Sequence, residues 1–528
     1  MATRSIQADR TGPATGAPAA SAGQPDVPPL PRRRTIVVPP VADVVFIAIA
    51  AFVPTVYFDR LMFSDGDMLR HVRLGEWMIQ HRALLTVDPF SFTRPGAPFT
   101  PYEWLSEVVF GALHLAGGLP AVALGAAALI AATYALLFRW MVRRGVGRWT
   151  ALGAIGYAIV LGSIHWLARP HLFTLLGCVA LLWLMAYRIR LPFLAGVLLF
   201  ALWVNLHSGA FLGLTLVGAI AAGEALDLLV GATPLFPGRT RQIALLLAGG
   251  AVGLMITPQG PGLVLHAVRT LGDPVLIDNT EEFLSPNFHT FWAKAFLGGV
   301  LAIAALFALK RERPPMAALA VFLLFAATGA IYRRNVPFFG LVAVPLLLAW
   351  PALHRSIPSI PRLVRVLRDG DRMARPAVWS GAFALGMLAL AAAGGAIGPL
   401  QLVRARVSPT RFPVAAVAFA RAHHVTGRMF HDQVWGGYVL YAWPEQRVYI
   451  DGATDFYGPA IAREYMQVMG LADGWEQKLA ARRIQLALLP AKIPLATTLE
   501  RYARWRPLYR DSVAVLLRSP AAGAGDAR

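Results

Sequence analysis

Between Phe63 and Leu113 an otherwise apolar chain carries a dense set of titratable side chains: Asp65, Asp67, His71, Glu76, Asp88, Glu103 and Glu107. Asp65 and Asp67 straddle Gly66, which permits a tight backbone, and Asp67 and His71 stand four apart, so a helix places them on one face. A positioned carboxylate can take the proton from an attacking hydroxyl. His71 could orient that carboxylate, ligate a metal or contact a phosphate. Asp67, His71 and a further loop carboxylate could hold a divalent cation, but their spacing is no recognised zinc signature, so the cofactor is left open. The competing structural roles are an Asp that caps helix amides and a His hydrogen-bonded at an interface. From Leu105 the apolar residues Leu105, Val108, Val109 and Leu113 recur on one face while Glu103 and Glu107 share another, which predicts an amphipathic helix at a membrane surface.

The elements that must position these groups are membrane spans. The chain has 528 residues, 56% hydrophobic and 15% charged, and a span takes about 20 apolar residues. Spans are expected at 41–58, 119–141, 149–168, 171–187, 191–206, 209–230, 242–257, 291–309, 315–331, 336–350 and 377–398, with the short 191–206 segment open to a re-entrant reading. This predicts an α-helical polytopic membrane protein of about eleven spans. The formal charge of +20 sits mostly in short linkers, where positive-inside topology accounts for it and no nucleic-acid partner is implied. Arg139 to Arg148, Arg188 and Arg190, Arg239 and Arg241, Lys310 to Arg313 and the loop Arg355 to Arg375 all fall on the side of Arg32-Arg33-Arg34. Residues 1–38 read as a disordered cytoplasmic tail without a cleavage site, and 39–400 as the transmembrane domain with outer loops 59–118 and 258–290. Residues 401–520 read as an extracytoplasmic α/β domain and 521–528 as a disordered tail. In the α/β domain, Met429–Phe430, Tyr438–Tyr441, Val448–Ile450, Leu486–Leu489 and Val513–Leu517 read as strands, and Ala460–Met469 and Trp475–Arg483 as helices. The single cysteine, Cys178, reads as a buried packing residue. Membrane lipids are the expected surroundings.

That topology isolates a second set of candidates. Arg169-Pro-His171 and Arg333-Arg334-Asn335 join spans on the side where positive charge is disfavoured, and His207 lies at a third such turn. An arginine there matches a phosphate with a fork of donors. Headgroup binding or snorkelling is the plainer alternative. A third set lies in the α/β domain, in His431–Tyr438, Arg447–Gly452 and Asp455–Gly458. Its glycines suit tight turns, its aromatic residues could stack on a sugar ring, and Asp451 and Asp455 are the groups to test. His423 and His424 read as merely exposed. There is no P-loop, no dinucleotide fingerprint between strand and helix, and no nucleophile elbow.

Asp67/His71, Asp88-Pro-Phe-Ser-Phe-Thr93, Gly96 and Glu103-Trp-Leu105 together resemble the first extracytoplasmic loop of the C-type superfamily of membrane glycosyltransferases (GT-C). The pattern looks closest to a bacterial branch without an activity to carry over. The Phe283–His289 piece, Gly436-Gly-Tyr438 and Ile450-Asp-Gly452 are similar to the same branch, except that Ala453 stands where its pattern has Arg. The resemblance implies transfer of a sugar from a polyprenyl-phosphate donor to an envelope acceptor, at the outer face of a bacterial inner membrane. Asp67, then Asp65, would be the base or metal ligand, with His71 beside them. Arg333, Arg334, Arg169, His171, His207, Glu103, Asp451 and Asp455 would line the substrates. Two rivals are a transporter or flippase for a lipid-linked glycan, and a non-catalytic envelope-assembly protein. Transport asks for mid-span charge, and only Glu224 and Asp227 approach it, near one end of the sixth span.

Overall fold

The computed structural model describes residues 39–309, 312–354 and 377–520. The tail 1–38, Lys310 and Arg311, the basic loop Arg355 to Arg375 and the tail 521–528 lie outside the described residues. Each expected apolar segment is helical. Those before residue 310 form α1 (Val41–Thr55), the second half of α4 (Trp104–Arg143), α5 (Arg148–Gly162), α6 (His171–Ala186), α7 (Pro192–Leu206), α8 (Ala210–Leu229), α9 (Thr240–Gly253) and α12 (Phe291–Leu309). After it come α13 (Met316–Ile331), the helical run 336–348 with a π turn at Phe339–Ala343, and the helix Val378–Ala392. Three of the described helices, α4, α8 and α12, are by length and composition alone long enough to cross a membrane. The short 192–206 segment is one unbroken helix packed along α9. Cys178 is fully buried.

Buried acids hold the helix ends together. Asp43 on α1 accepts from the backbone N–H groups of Ala377, Trp379 and Ser380 and from Arg139 at 2.5 Å, so it caps the helix Val378–Ala392. Glu224 accepts from the N–H of Phe236 at 3.0 Å, and Asp227 from that of Met316 at 3.0 Å. Both acids of the sixth span are thus committed to loop and helix ends.

The polar segment between α1 and α4 makes α2 (Phe58–Phe63) and α3 (Asp67–His81). α3 crosses the first turns of α4 at Gly75 and Gly111, where a Cβ on either would strike the other's backbone. Gly117 and Gly118 break α4 immediately before Pro120, with φ +65° at Gly118. The turns before this break were expected to lie amphipathically at a membrane surface. Instead Glu107 is 3% exposed and faces α3, because α3 and not solvent covers that face.

Beyond the helix Val378–Ala392 and the hairpin β1–β2 (Ala396–Ile397, Leu400–Gln401) the chain builds a mixed sheet. Its order is β3 (Met429–His431), β4 (Leu486–Pro490), β6 (Ala514–Arg518), β5 (Arg506–Arg510), with only β3–β4 parallel. Two expected strands are corrected. Tyr438–Tyr441 lies in the helix Gly436–Ala442, whose Tyr438, Val439 and Leu440 are all buried and so show no two-residue alternation. Val448–Ile450 forms only an isolated bridge, Val448 to Ser91. β5 escaped the sequence because its arginine ends and mostly exposed residues mark an edge strand.

The sheet domain is stitched to the segment after α3. Asp88 accepts from Phe90 N–H at 2.9 Å and from the Ser91 hydroxyl at 2.5 Å, which shapes the Asp88–Thr93 turn. The turn then exchanges backbone bonds with Val448, and the Thr93 hydroxyl donates to the Tyr449 carbonyl at 2.7 Å. At the start of α3, Gly66 lies against the Val434 carbonyl and Gly437 against the Gly66 carbonyl, leaving no room for a Cβ at either. We expect Gly437→Ala to destabilise the protein by about 1–3 kcal/mol, as overpacking does. Thermal melting of the purified protein reads this, and an unchanged Tm would mean the two parts do not dock through this contact.

Candidate functional site

The N-terminus of α3, the 163–171 and 206–209 turns, the 281–283 turn, the 332–336 turn and the 449–455 segment converge at the sheet-domain end of the bundle. The half-buried Arg169 guanidinium lies at the centre. It donates to Asp65 Oδ2 at 3.1 Å, Asp67 Oδ2 at 2.9 Å and Glu282 Oε1 at 2.9 Å. The backbone N–H of Asp67 donates to Asp65 Oδ1 at 3.1 Å. On the far side of Asp67, Gly452 touches the carboxylate so closely that a Cβ there would overlap Oδ1. Burial pushes the Asp65 carboxyl up to about 6, against Arg169 and with help from Asp67. Burial would also raise Glu282, but Arg169, then His165 and Arg334, outweigh it and hold Glu282 below the ordinary carboxylate range. Burial works against the Arg169 charge, and Glu282, Asp67 and Asp65 more than restore it.

A second cluster begins one helical turn along α3. Arg70, 7% exposed, reaches Asp451 Oδ1 at 3.4 Å and Glu107 Oε1 at 3.9 Å. His71 Nδ1 lies 3.2 Å from Glu107 Oε1, so Asp67 and His71 share a helix yet serve different partners. Glu107 Oε2 is buried with no partner among the described residues. Burial, and next the Glu107 charge, raise Glu103 to about 8, so it holds its proton at neutral pH. Its Oε1 lies 3.4 Å from His207 Nε2. The Gly209 N–H donates to His207 Nδ1 at 3.0 Å, and the Thr174 hydroxyl stands 2.7 Å from the same nitrogen. Trp203 Nε1 donates to that hydroxyl at 2.9 Å, so the hydroxyl is free to donate to His207. With Nδ1 accepting, the neutral His207 carries its proton on Nε2, facing Glu103. Burial lowers the His207 pKa, with His171 adding to the effect.

The remaining candidates are less uniform. His171 Nε2 donates to the His165 carbonyl at 2.7 Å. Arg333 pairs with Glu281 and lies over Trp292. Arg334 stacks over Phe283 at 4.7 Å and has no ion-pair partner among the described residues. The two adjacent arginines are therefore not an equivalent pair. Asp455 is met by His266 Nε2 at 3.1 Å and Tyr102 Oη at 3.4 Å. Arg70, His165, Tyr102 and His266 were not among the sequence candidates, because their partners lie 6 to 381 positions away or are backbone atoms. The one local signal was the position of Arg70, three residues after Asp67 on a helix. His423 and His424 are exposed.

A divalent cation does not fit. Among the described residues no three His, Cys, Asp or Glu side chains are disposed to hold one, and the space between Asp65, Asp67 and Glu282 is taken by the Arg169 guanidinium.

No family model matches the sequence, and no curated protein matches it. Solved structures do. The archaeal oligosaccharyltransferase AglB of Archaeoglobus fulgidus, in complex with an inhibitory peptide and a dolichol-phosphate, superposes with a TM-score of 0.50 at 12% identity, over 91% of this chain and 74% of that one. The Archaeoglobus fulgidus oligosaccharyltransferase tethered to an acceptor peptide gives a TM-score of 0.51 at 14% identity, over 86% and 69%. ArnT of Cupriavidus metallidurans bound to undecaprenyl phosphate gives 0.44 at 15% identity, over 90% and 97%. The chain thus shares the fold of the two oligosaccharyltransferase structures, here a mostly helical bundle followed by a small C-terminal sheet domain.

Glu103 supplies a test of the site's electrostatics. A carboxyl raised from its unfolded value to about 8 keeps its proton in the fold after the unfolded chain has lost it. Its contribution to stability is therefore full below the unfolded pKa and falls as pH rises towards 8. Glu103→Gln, which mimics the neutral acid, should lose less Tm between pH 5 and pH 8 than the wild type. Equal losses would place Glu103 in its ordinary ionised state.

Proposed function

We propose that the protein is a membrane glycosyltransferase that moves a sugar from a polyprenyl-phosphate donor to an acceptor hydroxyl at the junction of helix bundle and sheet domain. The observation that carries this is the Asp67 carboxylate, oriented by Arg169 at 2.9 Å and in contact with Gly452 of the sheet domain. One side chain is thus shared by the two parts that would hold the two substrates.

In this reading the acceptor oxygen attacks the anomeric carbon, and Asp67, with Asp65 beside it, takes the hydroxyl proton. The bond between the anomeric carbon and the phosphate oxygen breaks with its electron pair on the polyprenyl phosphate, and displacement from the opposite face inverts the centre. Arg334, which has no carboxylate partner among the described residues, is the donor fork best placed for the phosphate. The Nε2–H of neutral His207 lies at the same end of the bundle and can donate without adding charge, whereas His171 spends its Nε2–H on the His165 carbonyl and keeps only an acceptor nitrogen. Arg333, paired with Glu281, has less to offer a phosphate than the sequence suggested.

The same reading places residues 39–400 in a bacterial inner membrane with about eleven spans, the tail 1–38 in the cytoplasm and residues 401–520 outside. Positive-inside bias of the linkers supports this orientation.

Asp67→Asn keeps the shape and the Gly452 contact but removes the base. Sugar transfer from a polyprenyl-phosphate donor should fall by about 10²–10⁴-fold, the usual worth of a general base, with expression retained and Tm lowered only by the weakened pairing to Arg169, which keeps Asp65 and Glu282. Full activity in this variant would refute the mechanism. Arg334→Ala should lower the amount of polyprenyl phosphate that co-purifies in native mass spectrometry, and unchanged lipid occupancy would remove Arg334 from the donor site.

A further inference from the structure

A cavity of about 360 Å³ opens where the sheet domain meets the loop before α4 and the helix α10 (Gly262–Leu271). One wall is aromatic: Phe99 and Phe456 have ring centroids 5.3 Å apart, and Tyr102 stands beside them. Over these rings lie guanidiniums, Arg70 over Phe99 at 5.7 Å and Arg94 over Phe456 at 5.1 Å, and Arg269 reaches in from α10. Against these three cations the lining holds one carboxylate, Asp455, already met by His266 and Tyr102. Arg70 is committed to Asp451 and Glu107. Arg94 donates to the Phe456 carbonyl but meets no carboxylate, and the exposed Arg269 has no partner among the described residues. Two guanidiniums therefore face an aromatic-walled cavity with donors to spare.

The cavity also adjoins the proposed base. Ala453 lines it, and the preceding Gly452 touches the Asp67 carboxylate. Arg70, another lining residue, lies one helical turn from Asp67 on α3.

The geometry points to this cavity as the acceptor subsite, selective for a sugar that carries an anionic group, a carboxylate or a phosphate, with the ring against the aromatic wall and the anion on Arg94 and Arg269. The assignment rests on the transferase reading above, which it deepens by naming the acceptor class. A guanidinium pair recognises either anion through paired N–H donors, and an aromatic wall packs the apolar face of a pyranose.

Binding, not turnover, tests it. The detergent-purified full chain is titrated calorimetrically with methyl glucuronide, glucose 1-phosphate, neutral methyl glucoside and inorganic phosphate. The expected result is that one or both anionic sugars bind at least about tenfold tighter than the neutral glucoside and than phosphate alone, a difference of about 1.4 kcal/mol. Which of the two binds identifies the anion. Arg269→Glu, at an exposed position that leaves folding intact, should abolish the preference, and Arg94→Ala should weaken it with Tm as the folding control. Equal affinity for neutral and anionic sugars, phosphate binding as tightly as the sugar phosphate, or a preference untouched by Arg269→Glu would each overturn the assignment. Asp67→Asn separates the two ideas. If it binds anionic sugars normally but the wild type transfers nothing, the transferase reading fails while the subsite stands.

Discussion

A guanidinium about four-fifths withdrawn from water, ringed by three carboxylates, is the constraint on which the rest of this site depends. Arg169 keeps its charge at 21% side-chain exposure, so burying it is costly without partners, and no one segment supplies them. Asp65 and Asp67 come from the start of α3, Glu282 from the turn 281–283, and Arg169 itself from the turn before α6. Satisfying that one charge therefore fixes three loops relative to one another. Removing a carboxylate weakens the pairing, whereas removing the guanidinium leaves three acids crowded together.

Arg70 repeats the device one turn further along. It ties α3 to α4 through Glu107 and to the sheet domain through Asp451. The glycines at 66, 75, 111, 437 and 452 are the steric counterpart, since a Cβ at any of them would strike the neighbouring backbone or, at 452, the Asp67 carboxylate. Close packing and charge pairing select the same junction. At Gly66 and Gly452 the glycine gives the approach and the adjacent Asp65, Asp67 and Asp451 make the ion pairs.

The helices were legible because apolar length alone specifies them, and all the expected apolar segments are helical. The motif residues were legible as types but not as partners. Asp67 and His71 look like a pair by spacing, yet His71 turns to Glu107, 36 positions away, and Asp67 to Arg169, across 102. Arg333 and Arg334 look equivalent in sequence and are not, because Glu281 reaches only the first. Local patterns also misled at Tyr438–Tyr441, where burial on every side erased the periodicity that separates helix from strand. What the sequence lacked in each case was the identity of a neighbour brought in by tertiary structure.

The charge balance of the two clusters also separates their tasks. Around Arg169 three carboxylates face one guanidinium; burial raises Asp65 to about 6, while Arg169 holds Glu282 below the ordinary carboxylate range. At Glu103 the balance is opposite in effect. A carboxyl held protonated by burial and by Glu107 stands against a histidine whose Nε2–H points at it, a neutral arrangement that can position a ligand without drawing its proton. The two kinds of carboxylate are separated because Asp67 faces Arg169 and Gly452 while Glu103 and Glu107 face the next turns of α3 and the 206–209 turn. Under the transferase reading proposed above, an acceptor hydroxyl would be deprotonated on the Asp67 side and only held on the Glu103 side. That division follows from which carboxylates pair directly with Arg169.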